Sequence, residues 1–399
     1  MKIKIDKKTI LYFLFFMFLI EPKLFYLYKT TAIVYALANL AIFGWFIIKN
    51  REKIDMILPI KLWIVIRVLL LVMMIINTNV TDLDKWGYLS LMVMSLFFVI
   101  SYSIKTGEEN NMIKGGLYLL IFYLLINFVT LLIFPQGIIP DKHVYHNSDG
   151  DVYFLGFKVM YTSFILTTIV FCYMDKLINK TNFRTFLSIF LVIANLVLSN
   201  VTTGIISVAI FFILYLFQKH RILKISEKKL VILCLVINIL VVFYHIQEYF
   251  SYIIVDLLGK NLTLTNRTYI WEMTIQQLKN QNIIKTILGN GIYNDGAFVS
   301  VFGNLYPAHN AWLQMIFENG LLGTFLFGFM LCSFDNKETD KNNKFRFFLN
   351  SIIFSILITT ISSGTFSYSH TYIPFVFLYF CSDFEKLLFD KKNNERGSI

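Results

Sequence analysis

The stretch His309-Asn-Ala-Trp-Leu-Gln-Met-Ile-Phe-Glu-Asn-Gly-Leu-Leu-Gly323 decides the fold, because it places polar chemistry inside an apolar run that continues to residue 334. An imidazole, several amides, a carboxylate and two glycines occur together there. A run of this length can cross the hydrocarbon core of a bilayer. We therefore interpret the other apolar runs as the frame that positions this stretch.

Apolar runs of similar length recur along the chain. Of 399 residues, 57% are hydrophobic and 15% are charged, which is too little charge for a soluble domain. The sequence predicts an all-α, polytopic membrane protein in which residues 1–399 form one integral membrane domain. The first span lacks the small-residue cleavage site of a signal peptide. We count twelve spans, at about 9–28, 31–48, 57–77, 86–104, 113–134, 157–175, 184–200, 204–218, 229–247, 309–334, 346–366 and 371–388.

Basic residues are distributed unevenly over this topology. With the N-terminus inside, the inner segments hold 25 Lys and Arg and the outer segments hold 9, while Lys61 and Arg67 lie within the third span. The bias predicts a multi-pass protein of the cytoplasmic membrane with both termini in the cytoplasm. It also explains the net charge of +11 without a nucleic-acid partner. The four cysteines fall in spans without CxxC spacing, so we interpret them as core residues.

Two outer segments are long, one at 135–156 and one at 248–308. Irregular polar backbone in a membrane protein usually lines a cavity, so we expect the chemistry on the extracytoplasmic side. Nucleotides are scarce there, and the sequence has neither a P-loop nor a GxGxxG motif. We expect no cofactor.

Two patterns resemble metal sites, but neither predicts one; a solvated loop is the better interpretation of the second. His143 and His146 in the first outer segment lack a third ligand at suitable spacing. Asp82-x-Asp84 is similar to the DxD motif of nucleotide-sugar transferases, but it lies on the side without nucleotides. We therefore expect no metal.

The second outer segment contains a candidate phosphate site. Apolar residues from Trp271 onward recur at helical spacing, so residues 267–288 are predicted to form an amphipathic helix on the membrane surface. Asn266 is the predicted N-cap, which puts Arg267 in the first turn. A helix N-terminus and a guanidinium at one place suit a phosphate or pyrophosphate. The alternative for Arg267 is an anchor to lipid headgroups.

A candidate general base follows this segment. Pro307 precedes a helix start, and His309 is predicted in the first turn of the tenth span, at the outer surface. The positive end of the helix dipole favours the neutral imidazole there, and a neutral imidazole can accept a proton from a sugar hydroxyl. The alternative is a histidine that only caps the helix.

Helical geometry predicts which residues of the tenth span share a face. At about 100° per residue, Gly320 and Gly323 lie within about 40° of His309, where they would clear a groove for a neighbouring helix or a lipid chain. Glu318 lies about 180° from His309 and so faces elsewhere. Arg67 lies at a similar depth in the third span, and we expect an Arg67–Glu318 ion pair. The alternative is that Arg67 reaches an anionic substrate.

The sequence His309-Asn310, nine residues, Gly320, two residues, Gly323 resembles the His-[Asn/Ser/Gln]-x9-Gly-x2-Gly motif of the O-antigen ligase and polymerase superfamily. This superfamily includes the Wzy-type polymerases of O-antigen and capsule synthesis. The predicted number of spans and the long outer segment before the motif are also similar to that family. So is an Arg-Thr pair followed by a tryptophan in that segment.

The resemblance implies a metal-independent, inverting glycosyltransferase that acts outside the membrane on a polyprenyl-pyrophosphate donor, such as undecaprenyl pyrophosphate. It implies that His309 deprotonates the acceptor hydroxyl and that Arg267 holds the donor pyrophosphate. Two positions depart from the family pattern. The tight turn Ser199–Gly204 lacks an arginine that the family often has, and Lys158 stands where another is common. A lysine keeps the charge but not the bidentate fork.

We therefore predict a polysaccharide polymerase of the cell envelope, active in capsule or exopolysaccharide biosynthesis. Its expected partners are a polyprenyl-pyrophosphate-linked oligosaccharide, membrane lipid and other polysaccharide export proteins. Two alternatives stay open. One is a ligase that moves a finished glycan to another acceptor. The other is a non-enzymatic flippase or transporter, although a transporter would place charges near the midplane of several helices.

Overall fold

The protein is described by a computed structural model over residues 6–78, 82–139, 152–223, 225–257, 261–264, 266–292, 296–301, 304–335 and 344–396. Within these ranges the chain is mostly helical, and the predicted all-α class is confirmed. The helices are α1 Lys7–Leu19, α2 Lys23–Tyr26, α3 Lys29–Lys49, α4 Leu58–Ile76, α5 Leu83–Lys105, α6 Glu109–Ile133, α7 Tyr161–Asn179, α8 Asn182–Ser199, α9 Thr202–Lys219, α10 Glu227–Tyr244, α11 Arg267–Asn280, α12 Ile283–Leu288, α13 Ala311–Cys332, α14 Lys344–Thr359, α15 Ile373–Tyr379 and α16 Cys381–Arg396.

Among the described residues, strands form two short antiparallel hairpins, and each belongs to one of the long outer segments. The first hairpin pairs β1 (Val152–Tyr153) with β2 (Gly156–Phe157). The second pairs β3 (Val299–Val301) with β4 (Asn304–Tyr306). The hairpins come shortly before α7 and α13, so they set where the chain enters these two helices.

In the part of the chain that the structure describes, eight helices are long and apolar enough to cross a membrane. They are α3, α4, α5, α6, α7 with the turn that precedes it, α8, α9 and α13. Large apolar side chains project outward from several of them, and Leu37, Val197 and Phe212 are each more than half exposed. Such exposed apolar side chains fit contact with lipid. The chain is an integral membrane protein with multiple spans.

The helices of the other four predicted spans are shorter, interrupted or charged at one end. The first predicted span is broken after α1, because Pro22 has no N–H with which to continue the helix. The ninth corresponds to α10, whose first turn is charged. The eleventh ends with α14 at Thr359, and the twelfth is divided between α15 and α16.

Helix α13 lies among α4, α10, α11 and α12. Phe317 of α13 stacks on Phe298, which comes just before β3, with ring centroids 3.5 Å apart. Trp271 of α11 is buried in the same apolar cluster. The described part of the second outer segment is therefore packed on the membrane-spanning helix that carries the His309–Gly323 stretch.

Candidate functional site

A cavity of about 870 Å³ lies among α4, α5, α7, α11 and α13, and we call it the site cavity. Its volume is in the upper part of the range of about 300–1,000 Å³ that small-molecule sites occupy. The sequence alone left open whether Arg267 and His309 lie close together. In the structure, both residues line this cavity. The predicted site residues that line it are Arg67, Lys158, Arg267, His309, Asn310 and Glu318.

His309 lies just outside α13, so its predicted position in the first turn was wrong. Helix α13 begins at Ala311 with Asn310 as N-cap, and His309 has a left-handed backbone with a φ of 48°. A residue with a side chain adopts this conformation at a cost on the order of 1–3 kcal/mol, and such strain is concentrated at functional sites. The imidazole is partly accessible and its centroid lies 6.4 Å from that of the Tyr306 ring.

Asn310 holds the start of α13 in place. Its side-chain oxygen accepts the N–H groups of Trp312 and Leu313 at 3.1 and 2.9 Å. Its side-chain nitrogen donates to the carbonyl of Ile361 at 3.0 Å. The adjacent Ala311 N–H donates to the carbonyl of Thr360 at 2.8 Å. The residue next to His309 is therefore fixed from two sides.

Glu318 lines the site cavity, so the prediction that it faces elsewhere was wrong. A rotation of about 100° per residue applies only to a continuous helix. His309 precedes the helix, which begins at Ala311, so the rotation cannot be counted from it. The helix is also kinked at Gly320, beyond Glu318, with φ 64° and ψ −176°. Glu318 Oε1 accepts a hydrogen bond from Gln314 Nε2 at 2.6 Å. Gln314 Oε1 accepts the N–H of Ala308 at 2.8 Å, which links Glu318 to the backbone beside His309.

The kink at Gly320 receives the segment that follows α12. The carbonyls of Phe317 and Glu318 accept the N–H groups of Asn290 and Gly291, both at 2.9 Å. A Cβ at Gly320 would lie 2.3 Å from a backbone carbonyl oxygen of α12. The position therefore requires glycine both for its positive φ and for this close approach.

Gly323 makes room for a side chain of its own helix. A Cβ at this position would lie 2.6 Å from Cβ of Asn319, which the kink brings close. The space expected beneath the two glycines is thus occupied by protein, with α12 at Gly320 and Asn319 at Gly323.

The guanidinium of Arg67 is held by α5 and does not form the predicted ion pair with Glu318. Its Nε donates to Ser90 Oγ at 2.7 Å, and a terminal nitrogen donates to the carbonyl of Trp86 at 2.8 Å. The group also lies 5.4 Å from the ring centroid of Trp63. These acceptors are closer than the carboxylate of Glu318, so the two charges interact through space without a direct bond.

Arg267 is the first residue of α11, and Asn266 occupies the N-cap position as predicted. Asn266 does not cap through its side chain, because its backbone is left-handed with a φ of 65°. A terminal nitrogen of Arg267 donates to the carbonyl of Leu264 at 3.3 Å. The guanidinium thus folds back toward the loop before α11 while the side chain lines the cavity.

The helix predicted over 267–288 is divided into α11 and α12. The break lies before Asn282, whose side chain accepts the N–H of Lys285 at 2.9 Å and so starts α12. The apolar stripe from Trp271 to Leu278 packs on the protein, against the cluster that includes β3 and α13.

Two lysines that we did not single out from the sequence also line the cavity. Lys23 begins α2, and Lys85 in the first turn of α5 pairs with Asp82 at 2.9 Å. Lys158 Nζ lies 5.4 Å from the ring centroid of Tyr153. The described lining therefore holds five Lys and Arg side chains and two carboxylates, those of Glu21 and Glu318. Asp82 is buried, unlike the solvated loop residue we expected.

Burial shifts the titration of the acid–base pair at the edge of the cavity. It raises the pKa of Glu21 to about 7, against the opposing effects of a hydrogen bond from Tyr88 and the charge of Lys23. It lowers the pKa of Lys23 to about 8, with Glu21 opposing that shift and Lys85 adding to it. Near pH 7 the carboxyl is thus partly neutral while most of the lysine is charged. The cavity keeps its excess of positive charge.

A segment between α14 and α15 also lines the cavity, and sequence reasoning missed it. Residues Thr359–Tyr372 read TTISSGTFSYSHTY, with four serines, four threonines and two tyrosines. We call it the hydroxyl-rich segment. His370 within it is buried and bonds Ser163 of α7 at 2.8 Å. Burial lowers the pKa of His370 to about 3, so its ring is neutral. The density of hydroxyl groups was the sequence signal for this wall.

The first outer segment is described only in part. His143 and His146 lie at 140–151, outside the described residues. Within the residues that the structure does describe, there is no group of three His, Cys, Asp or Glu side chains suited to a metal ion.

A family model described as O-antigen ligase matches residues 187–328. Residues 187–328 are therefore similar to the O-antigen ligase family. The matched O-antigen ligase region runs from α8 into α13 and includes Arg267, His309 and Glu318, whereas Arg67 and Lys158 lie outside it. The searches of curated proteins and of solved structures returned no match.

Members of the O-antigen ligase family are glycosyltransferase-like enzymes, ligases or polymerases, that act on lipid-linked glycans. The superfamily predicted from the His309–Gly323 motif is thereby confirmed.

Substitution of Gly320 tests the contact between α12 and α13. Gly320→Ala should lower the midpoint of thermal unfolding in detergent, with a loss on the order of 2 kcal/mol for a side chain at positive φ and a further loss from the clash with α12. Gly328→Ala on the same helix is the control, because a Cβ there meets nothing within 4 Å. Equal unfolding midpoints for the two variants would show that the kink does not need glycine.

Proposed function

We propose that the chain is a polysaccharide polymerase that joins polyprenyl-pyrophosphate-linked oligosaccharide repeats on the outer face of the cytoplasmic membrane. The observation that carries the proposal is that His309 and Arg267 line one cavity with further cationic side chains. A base and a set of cations are the two components that transfer from a pyrophosphate donor requires. The similarity of residues 187–328 to the O-antigen ligase family supports the same reaction class.

In this reaction the acceptor hydroxyl attacks C1 of the donor sugar while His309 takes the hydroxyl proton. The new glycosidic C–O bond forms as the bond from C1 to the phosphate oxygen breaks, so the configuration at C1 is inverted. The leaving lipid pyrophosphate gains negative charge. Preorganised cations stabilise the charge that develops in such a transition state.

Five side chains are candidates for holding the pyrophosphate. Arg267, Arg67 and Lys158 were expected in this role, and Lys23 and Lys85 line the same cavity. Their summed charge allows a reaction without a divalent metal. All except Arg67 are among the basic residues of the predicted outer segments, which supports an active site on the extracytoplasmic side with both termini in the cytoplasm.

The remaining site residues position these groups. Asn310 fixes the backbone beside His309, and Glu318 is joined through Gln314 to the same loop. Gly320 admits the segment that returns from α11, so it ties the helix of Arg267 to the helix that follows His309.

A ligase is the second candidate, because the matching family model is described as O-antigen ligase. The two enzymes share chemistry and differ in the acceptor. A flippase or transporter is less well supported, because the described charges of the cavity surround a candidate base.

Substitution of the base is the first test. In cells that lack the wild-type chain, His309→Ala should lower polymer formation by about 10²-fold or more, the usual contribution of a general base. Mass spectrometry of extracted lipid-linked glycans should show single repeats, and modification of intact cells with a membrane-impermeant reagent before extraction should show that these repeats face outward. Long undelivered chains would identify a ligase, and inward-facing repeats would identify a flippase.

The matched control is His220→Ala, since His220 is exposed at the end of α9 and away from the cavity. If cells whose membranes contain the His309→Ala protein made as much polymer as wild-type cells do, His309 would not be the general base.

Substitution of Arg267 tests the pyrophosphate contact. Arg267→Lys keeps the charge but loses the planar fork, and loss of one charge-assisted hydrogen bond should lower activity by about 10- to 100-fold. Arg51→Lys, at an exposed position outside the cavity, should leave activity unchanged. If the Arg267→Lys variant formed nearly the wild-type amount of polymer, Arg267 would be an anchor to lipid headgroups and would not hold the pyrophosphate.

A further inference from the structure

The hydroxyl-rich segment forms a neutral wall of the site cavity. Its residues Ser362, Ser363, Ser367 and Tyr368 are partly or fully accessible, and all four line the cavity. The segment contains no Lys, Arg, Asp or Glu. The cationic side chains come from α2, α4, α5, α11 and the turn before α7, so the charges and the hydroxyl groups of this segment are contributed by different parts of the chain.

The shape of this wall is fixed by its own hydrogen bonds. Thr365 Oγ1 bonds Thr359 Oγ1 at 2.9 Å and Ser363 Oγ at 2.6 Å. Thr371 donates to the carbonyl of Thr365, and Tyr372 donates to the carbonyl of Phe366, both at 3.0 Å. Non-helical backbone between membrane helices is tolerated where it is buried in protein or lines a cavity. The wall is therefore organised before any ligand arrives.

The start of the segment is tied to the residues beside His309, and its end is tied to α7. Near its start, the carbonyls of Thr360 and Ile361 accept bonds from Ala311 and Asn310, the two residues that follow His309. Near its end, His370 bonds Ser163 and its ring lies 4.1 Å from that of Phe164 on α7. A molecule lying on this wall would thus lie beside the candidate base.

Thr162, next to Ser163, has a hydroxyl that lacks a partner. The residue is 3% exposed, its Oγ1 makes no hydrogen bond to the described residues, and it lines the site cavity. Buried polar atoms are nearly always paired, so an unpaired one calls for an explanation. A polar ligand in the cavity would supply the missing partner.

The chemistry of this wall selects a neutral, hydroxylated ligand. Serine and threonine hydroxyls both donate and accept, as sugar hydroxyls do. A phosphate would be attracted to the cations instead, and a lipid chain would leave these hydroxyls unsatisfied. Tyr368 adds an aromatic surface with a polar tip, which suits the face of a sugar ring.

We propose that the hydroxyl-rich segment and Thr162 form the acceptor-sugar subsite, which holds the terminal sugar of the acceptor glycan with its reacting hydroxyl at His309. This inference rests on the proposed function and deepens it. It assigns the donor pyrophosphate to the cations and the acceptor to the neutral wall.

The test measures binding of the repeat oligosaccharide freed of its lipid pyrophosphate. The full chain is purified in detergent, and the dissociation constant is obtained by ligand-observed NMR titration. Thr162→Val and Ser362→Ala should each weaken binding by about 3- to 10-fold, the effect of one neutral hydrogen bond. Arg267→Lys should leave this binding unchanged, because the probe lacks phosphate.

Thr168→Val is the matched control on the same helix. Thr168 is buried, donates to the carbonyl of Phe164 at 2.7 Å and does not line the cavity. It should lower the thermal midpoint and leave sugar binding intact. Thr162→Val removes an unpaired hydroxyl, so it should weaken sugar binding without lowering the thermal midpoint. If Thr162 had a purely structural role, Thr162→Val would lower the thermal midpoint and leave sugar binding unchanged.

Two further outcomes separate this inference from the proposed function. If the wild-type chain extends lipid-linked repeats while Thr162→Val and Ser362→Ala bind the free oligosaccharide as wild type does, the acceptor subsite is overturned and the polymerase stands. If the wild-type chain neither transfers glycan nor binds the oligosaccharide, both are overturned.

Discussion

The buried amide of Asn310 is the interaction on which the site depends. Its oxygen starts α13, and its nitrogen holds the carbonyl of Ile361. Both bonds are made in a protein interior, where an unpaired amide would be costly, so the geometry on either side is constrained. On one side is His309 in its left-handed conformation. On the other side is the hydroxyl-rich segment. One side chain thus sets the distance between the candidate base and the neutral wall.

The kink at Gly320 provides a second constraint. It lets the segment after α12 bond to the carbonyls of Phe317 and Glu318, which draws α11 toward α13. Arg267 at the start of α11 therefore reaches the same cavity as His309. Glu318, two residues before the kink, faces the cavity as well. The glycines of the motif thus organise backbone contacts between protein segments.

The lining of the cavity contains two kinds of groups, cationic side chains and the uncharged hydroxyl groups of the hydroxyl-rich segment. Arg67, Arg267 and the lysines surround a space suited to an anion, and Arg67 is held in place by Ser90 and Trp86. The hydroxyl-rich segment offers uncharged donors and acceptors. The two proposed substrates differ in the same way, because the donor carries an anionic pyrophosphate and the acceptor presents neutral hydroxyl groups. His309 lies near the start of the neutral wall, where an acceptor hydroxyl would need its base.

The sequence predicted the membrane class, the superfamily and six residues of the cavity, because these follow from hydropathy, charge and one spaced motif. It failed where backbone geometry departs from regular helix. The angles that placed Glu318 away from His309 assumed that the helix already includes His309, whereas α13 begins at Ala311. The Arg67–Glu318 pair was argued from matched depth, but nearer acceptors on α5 took the guanidinium. The hydroxyl-rich segment was divided between two predicted spans, which concealed its position in the cavity.

Glycosyl transfer by the purified chain is the most direct measurement of the central claim. The chain would be placed in lipid nanodiscs with polyprenyl-pyrophosphate-linked single repeats as donor and acceptor, in the presence of EDTA. The configuration of the new linkage would be determined by NMR. We expect products of two or more repeats with inverted configuration at the transferred anomeric carbon. Products that form only with an added divalent cation, or that retain the donor configuration, would contradict a direct transfer in which His309 is the base.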